Sequence, residues 1–234
     1  MLNCFSKWPE LHDANSAILP VGSVEQHGLH LPLFTDSIIA QELAKALASQ
    51  ISKSYLLPLL PFSSSYEHQE FPGTISIKIN TLCNLISDII DSLNNNGIHK
   101  CVIVNGHQGN FFLTNLVQEL NRSGPGVLLV PSRSQWDRAY IDAGISANLS
   151  ADMHAGEAET SIISYLAPET INCSAIKDVD CKYRPLFTVH GMKKYSYTGA
   201  IGFPSRATVD KGKLVFNSLV TTSIKIIEEF LYNE

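Results

Sequence analysis

Apolar residues along this chain fall into short continuous blocks separated by longer amphipathic ones. Ala17–Gly22 (AILPVG), Lys100–Val104 (KCVIV) and Gly126–Pro131 (GVLLVP) have strand length and little polar interruption. Between them Leu82, Leu85, Ile86, Ile89 and Leu93 recur at helical spacing, which predicts a helix over Asn80–Asn96 stopped by Gly97. Ile38, Ile39, Leu43, Ala46 and Leu47 predict another, from a cap at Asp36 to about Gln50. Helices are expected at Asn110–Arg122, with Asn110 as its cap, at Glu157–Leu166 and at Val215–Leu231. Ser54–Phe62 is apolar, but Pro58 and Pro61 restrict it to an edge or irregular strand. The segment between Pro131 and Asp152 reads as a loop.

Strands alternating with helices predict an α/β fold, a mainly parallel sheet flanked by helices on both faces. No repeat, low-complexity tract or linker interrupts the pattern, so residues 1–234 read as a single domain. In such sheets ligands sit beyond the carboxyl ends of the strands, so chemistry is sought there.

Composition narrows the function. Hydrophobic residues make up 44% and charged residues 17%, as in a packed globular protein. Seventeen basic against twenty-two acidic residues leave a net charge of −5, which argues against a protein that grips nucleic-acid backbones. No apolar run reaches the roughly 18–20 residues of a membrane helix, and the N-terminus lacks a basic stretch followed by an apolar one. A cytoplasmic protein with no membrane or nucleic-acid partner is expected. Five cysteines without a CxxC pair speak against a disulfide scaffold or a zinc knuckle. No GxSxG elbow, GxxxxGK[ST] loop or GxGxxG turn follows a strand.

Polar clusters do follow the strands. Gly22–Asp36 contains Glu25, His27, His30 and Asp36, and the alternate spacing of Glu25 and His27 projects both from one side of extended backbone. Asn105-Gly-His107-Gln-Gly-Asn110 comes directly after KCVIV, and Asp152-Met-His154-Ala-Gly-Glu157-Ala-Glu159 follows later. Any one of these could be incidental. Three in one chain, each bracketed by glycines, point to a metal site, because carboxylates and neutral imidazoles bind zinc, manganese or iron.

These segments also resemble the creatininase (creatinine amidohydrolase) family. LPVGSVEQHGLHLPLFTD, VNGHQGN and HAGEAETS are similar to its three signature segments, and FPGTIS (71–76) and GAIGFPSRAT (199–208) add lesser matches. The resemblance implies a hydrolase with two divalent metal ions (zinc, manganese or iron), usually a homo-oligomer, with a hexamer among the forms it suggests. Metal-bound hydroxide would attack the carbonyl of a small-molecule amide. Glu25, Asp36 and His107 would hold one metal, and His27 with the bridging Asp36 the other. Creatininase draws a further ligand from a glutamate at the position of Gly109. With that ligand missing, Glu157 is expected to replace it. In a helix Glu157 and Glu159 lie about 200° apart, so both cannot easily face one metal. Glu159 is then either a residue that orients an imidazole or a structural anchor. His154 matches the catalytic histidine that would protonate the leaving nitrogen. His30 either backs the ligands or supports the loop, and His68, in the polar stretch Tyr66–Glu70, either reaches substrate or lies in a solvated loop.

Substrate is less determined. Creatininase stacks its flat ring between two tryptophans. One matches Trp136, whereas the other would stand at Ser150, so creatinine is disfavoured. Family members also deformylate pyrimidine nucleotides, trim a redox-peptide precursor and open an inositol-derived ring. Hydrolysis of a C–N bond in a cyclic amide or formamide is the leading expectation, with a peptidase or a non-hydrolytic metalloenzyme on a sugar-like substrate as alternatives.

Overall fold

The computed structural model describes residues 1–124 and 126–232. Five strands, β1 (Leu2–Asn3), β2 (Ser16–Val21), β3 (Ser54–Leu56), β4 (Cys101–Asn105) and β5 (Val127–Val130), form one sheet in the order β1-β3-β2-β4-β5. Every pairing is parallel. The helices are α1 (Thr35–Ala48), α2 (Ile79–Asn95), α3 (Phe112–Leu120), α4 (Arg133–Asp142), α5 (Glu157–Leu166), the single turn α6 (Phe187–His190) and α7 (Val209–Tyr232). No helix among the described residues is long and apolar enough to cross a membrane.

All six residues of β2 are buried, which explains why this strand reads as a continuous apolar run rather than an alternating one. Its pleat splits the core. Ala17, Leu19 and Val21, with Cys101 and Ile103 of β4, pack against Leu82 and Ile86 of α2 and Leu113 and Leu116 of α3. Ile18, Val102 and Val104 point the other way, against Ile39 and Leu43 of α1, Trp136 of α4, Ile162 of α5 and Leu219 of α7. Both faces are therefore covered, as the alternation predicted.

Four local expectations change. Asp36 does not cap α1. The helix begins at Thr35 after Phe34, and the Asp36 side chain turns into the interior to accept from Ser23 Oγ at 2.8 Å. β3 ends at Leu56, ahead of Pro58, and β1 lies outside it, so the edge reading falls and the irregular one stands, with a separate bridge from Leu60 to Val21 beyond it. Asn110 does not cap α3, which starts at Phe112. Its amide Nδ2 donates to Asn105 Oδ1 at 2.9 Å and its Oδ1 accepts from Ser63 Oγ. The expected loop after β5 is mostly α4, opened by a capping box in which Ser132 and Gln135 satisfy each other's backbone N–H groups.

Candidate metal centre

The parallel order brings the segments after β2 and β4 to one end of the sheet, and the start of α5 joins them. Their side chains meet in the interior: Glu25, His27, Asp36, His68, His107 and His154 are all buried. Asp36 Oδ1 lies 3.1 Å from His27 Nε2 and Asp36 Oδ2 lies 2.9 Å from His107 Nδ1. Glu25 Oε2 is 3.3 Å from His107 Nδ1, and Glu25 Oε1 is 3.5 Å from His68 Nε2 and 3.8 Å from His154 Nδ1. Glu159 Oε2 stands 4.0 Å from His27 Nε2.

The far nitrogens of three imidazoles are tied to backbone carbonyls. His27 Nδ1–H donates to Glu25 O (3.1 Å), His107 Nε2–H to Ser64 O (3.1 Å) and His154 Nε2–H to Gln26 O (2.6 Å). A carbonyl only accepts, so these contacts assign the tautomer and turn each remaining lone pair inward. Those lone pairs face carboxylate oxygens, which are acceptors as well. Acceptor facing acceptor requires a cation between them, either protons or a metal ion. Both Glu25 oxygens are buried with no hydrogen-bond partner, the arrangement expected of a ligating carboxylate. Glu25, His27 and Asp36, and separately His27, His154 and Glu159, bring their ligand atoms within 4.8 Å of one another. The donor set fits divalent metal.

The charges show the same demand. Burial raises Glu25 to about 7, against the pull of His107. Burial likewise raises Glu159 to about 7. Burial works to lower His27 and His107, but the neighbouring carboxylates outweigh it and lift them to about 9 and about 10. His154 goes the opposite way, held well below its usual value by burial and by the charge of His27.

Other expected residues fall differently. Glu157, at the first turn of α5, is buried, but its carboxylate pairs with Lys211 Nζ of α7 at 2.5 Å and joins no ligand group among the described residues. Glu159 is the one turned to the histidines, and its Oε2 also accepts from Ala155 N at 2.6 Å. The backbone dictates this exchange. Asp152 accepts the N–H groups of Glu157 and Ala158 at 2.6 and 2.9 Å, and Ala155 takes a positive φ of 49°. His30 Nε2 lies 2.9 Å from Thr160 Oγ1, one residue beyond Glu159, so it supports the site from behind. His68 sits on a 3-10 turn, Tyr66–His68, with its ring 4.3 Å from that of His154, and is no part of a solvated loop. Trp136 is 5% exposed, packs in the core beside α1, α5 and α7, and borders a cleft with Gln108, Asn110 and Phe111. At Gly109 a Cβ would fall against His107 Nε2 and 2.5 Å from Glu67 Oε1. Asp152 and Gln26 were not singled out from the sequence. The acidic residue five positions before a helix start was the available signal for Asp152.

A parallel α/β sheet carrying a buried carboxylate–imidazole cluster at one end defines a candidate metallohydrolase. The family model described as creatinine amidohydrolase (creatininase) matches residues 5–227, and the chain belongs to the creatininase family. It is 32% identical to the mycofactocin precursor peptide peptidase of Mycobacterium ulcerans over 95% of this chain and 86% of that one. To the creatinine amidohydrolase of Pseudomonas putida it is 27% identical, over 91% and 88% of the two chains. A crystal structure of creatinine amidohydrolase superposes with a TM-score of 0.86 at 23% identity, covering 100% of this chain and 99% of that one, which shows the fold. Solved creatininases of this fold include a zinc–zinc form and a manganese form.

Proposed function

We propose that this chain is a metal-dependent hydrolase that cleaves an amide C–N bond, with a peptide as the favoured substrate class. The observation that carries the hydrolase reading is the inward convergence of imidazole lone pairs on the unpartnered carboxylate of Glu25. Glu25, Asp36 and His107 would hold one divalent ion, and His27, Asp36 and Glu159 the other. Glu159 thus takes the place that the sequence reading gave to Glu157. Divalent ions in such a site supply Lewis acidity and lower the pKa of water towards neutrality.

The remaining chemistry belongs to the chain. His154 is neutral with its Nδ1 lone pair inward, so it would accept a proton from the attacking water at Nδ1 and pass it to the leaving nitrogen. His68 offers an N–H to the carbonyl oxygen. Burial of the cluster excludes bulk water and strengthens every charge interaction there.

Two features favour a peptide over a small flat ring. Ser150 stands where a second tryptophan wall would be, and Trp136 is packed into the core. The similarity to peptidases, at 30–32% identity over more than nine-tenths of this chain, supports the same choice. The test is to reconstitute the protein separately with zinc, manganese and iron and assay short peptides, formamides and cyclic amides by mass spectrometry. Metal-dependent release of an amine from a peptide is the expected result. Cleavage confined to formamides or cyclic amides would return the substrate to the small-molecule class, and metal binding without any amide cleavage would sink the hydrolase reading.

A further inference from the structure

The Gln26 side chain is held at three points. Its Oε1 accepts the Gly28 N–H at 2.9 Å, and its Nε2 donates to the Gly199 carbonyl at 3.1 Å and to His68 Nδ1 at 2.7 Å. Turning the amide over would set its NH₂ against the Gly28 N–H and its oxygen against the Gly199 carbonyl. Two hydrogen bonds of the buried Gln26 amide would be lost, one of them to the half-buried Gly28. Gly199 has φ +87°, and a Cβ there would collide with Gln26 Oε1, so only glycine lets the amide approach this closely. One orientation survives, and in it the amide nitrogen faces His68.

His68 Nδ1 is therefore an acceptor, and the single ring proton resides on Nε2. A second proton on Nδ1 would meet the amide NH₂ head-on, so the imidazolium is excluded by the same contact. The Nε2–H points towards Glu25 Oε1 at 3.5 Å, longer than an N–H···O hydrogen bond, which leaves the donor unspent. Glu25, His68 and His154 have the spacing of a metal triad. Ligation through His68 Nε2 would need the proton on Nδ1, however, and Gln26 forbids it.

We infer that Gln26 is a positioning residue that locks His68 as a neutral Nε2–H donor, and that this N–H binds the carbonyl oxygen of the scissile group. A neutral imidazole suits the task, since it stabilises developing negative charge without giving up its proton. The inference rests on the hydrolase reading for the identity of the oxygen, but not for the tautomer.

The experiment is long-range 1H–15N NMR on zinc-loaded protein carrying 15N-histidine. His68 should show its proton on Nε2 in the wild type, and Gln26→Glu should move protonation to Nδ1 while zinc content stays unchanged. Formate, as a carboxylate probe, should shift the His68 Hε2 resonance in the wild type and leave Gln26→Glu unmoved. With an active substrate, kcat should fall about 10²–10³-fold in Gln26→Glu with KM little altered. In a His68→Gln background, whose amide supplies its own donor, Gln26→Glu should cost nothing further, whereas a merely structural Gln26 would add its loss. Should Gln26→Glu fail to fold, Gln26→Met takes its place and is expected to give a mixture of tautomers. A proton on Nδ1 in the wild type, an unchanged tautomer in the variants, or no response to formate overturns the inference. Absence of amide hydrolysis by the wild type would strike the hydrolase reading and with it the identity of the bound oxygen, but not the Gln26 lock on the His68 tautomer, which is read without turnover.

Discussion

Glu25 divides the cluster into two unlike halves. On one side His27 and His107 face Asp36, and the surrounding carboxylates hold their protons to about 9 and about 10. On the other side His68 and His154, stacked 4.3 Å apart, are held low, His68 at about 3 by burial and by the charges of His107 and His27. Residues of the same type, all buried, thus stand in opposite states within one small cluster. The difference lies in where the fixed negative charge sits. Asp36, tied down by Ser23, makes one half a sink for cations, while the half without such a carboxylate keeps its imidazoles neutral. A site that must hold metal and also move a proton needs both environments.

The largest expected effect breaks the cation half outright. Asp36→Ala should lose both metals by elemental analysis and reduce hydrolysis to background, since this carboxylate would serve both ions. His154→Gln should spare the metals and lower kcat about 10²–10⁴-fold, the range for loss of a proton-transfer group. Equal metal loss in these two variants would erase the division between the halves.

A subtler comparison sets Glu159 against Glu157. Glu159→Gln should remove one metal preferentially and leave folding almost unchanged. Glu157→Gln should retain metal but destabilise the fold by about 1–2 kcal/mol in denaturant titration, because it weakens the half-buried ion pair to Lys211. Preferential metal loss in Glu157→Gln would restore the assignment suggested by sequence.

The smallest expected effect is a dependence on pH. Glu25 and Glu159 hold protons up to about 7, and His27 and His107 up to about 9 and about 10. Metal ligation requires carboxylate and neutral imidazole, so uptake releases protons and affinity should strengthen as pH rises from 6 to 9, roughly in step with deprotonation. Calorimetry in buffers of different ionisation enthalpy measures the protons released. Metal-free protein should behave oppositely in stability. The raised values of His27 and His107 contribute fully below 6.5, and that contribution is lost as pH climbs through about 9 and about 10.

Much of this was legible in the sequence. The strands β2, β4 and β5 appear as apolar runs because a parallel sheet covered on both faces leaves no strand position exposed, β2 being buried throughout, and α5 was read at its observed limits. α4 was not, because Trp136, Ala139 and Tyr140 are its only buried apolar positions, set among Arg133, Ser134, Asp137 and Arg138, while Ile141 is exposed. β1 is only two residues long and exists through its pairing with β3. Within the site, Glu25, His27, Asp36, His107 and His154 converge as the motifs implied. Spacing separated Glu157 from Glu159 on α5, and the structure turns Glu159 towards His27 while it pairs Glu157 with Lys211. That choice depends on Asp152 and the left-handed Ala155, tertiary features with no periodic signature. His68 could not be raised above a loop residue without knowing that Gln26 reaches it across 42 positions of chain.

Gly109 carries a consequence for how such a site changes over generations. Any side chain there would press on His107 and on the Glu67 carboxylate, so a glutamate ligand of the kind the family resemblance puts at this position cannot simply be added back. Glu67 would have to withdraw first, and Glu159 would then compete for the same ion. Substitutions at positions 67 and 109 are therefore expected to be coupled, because each changes the room left to the other.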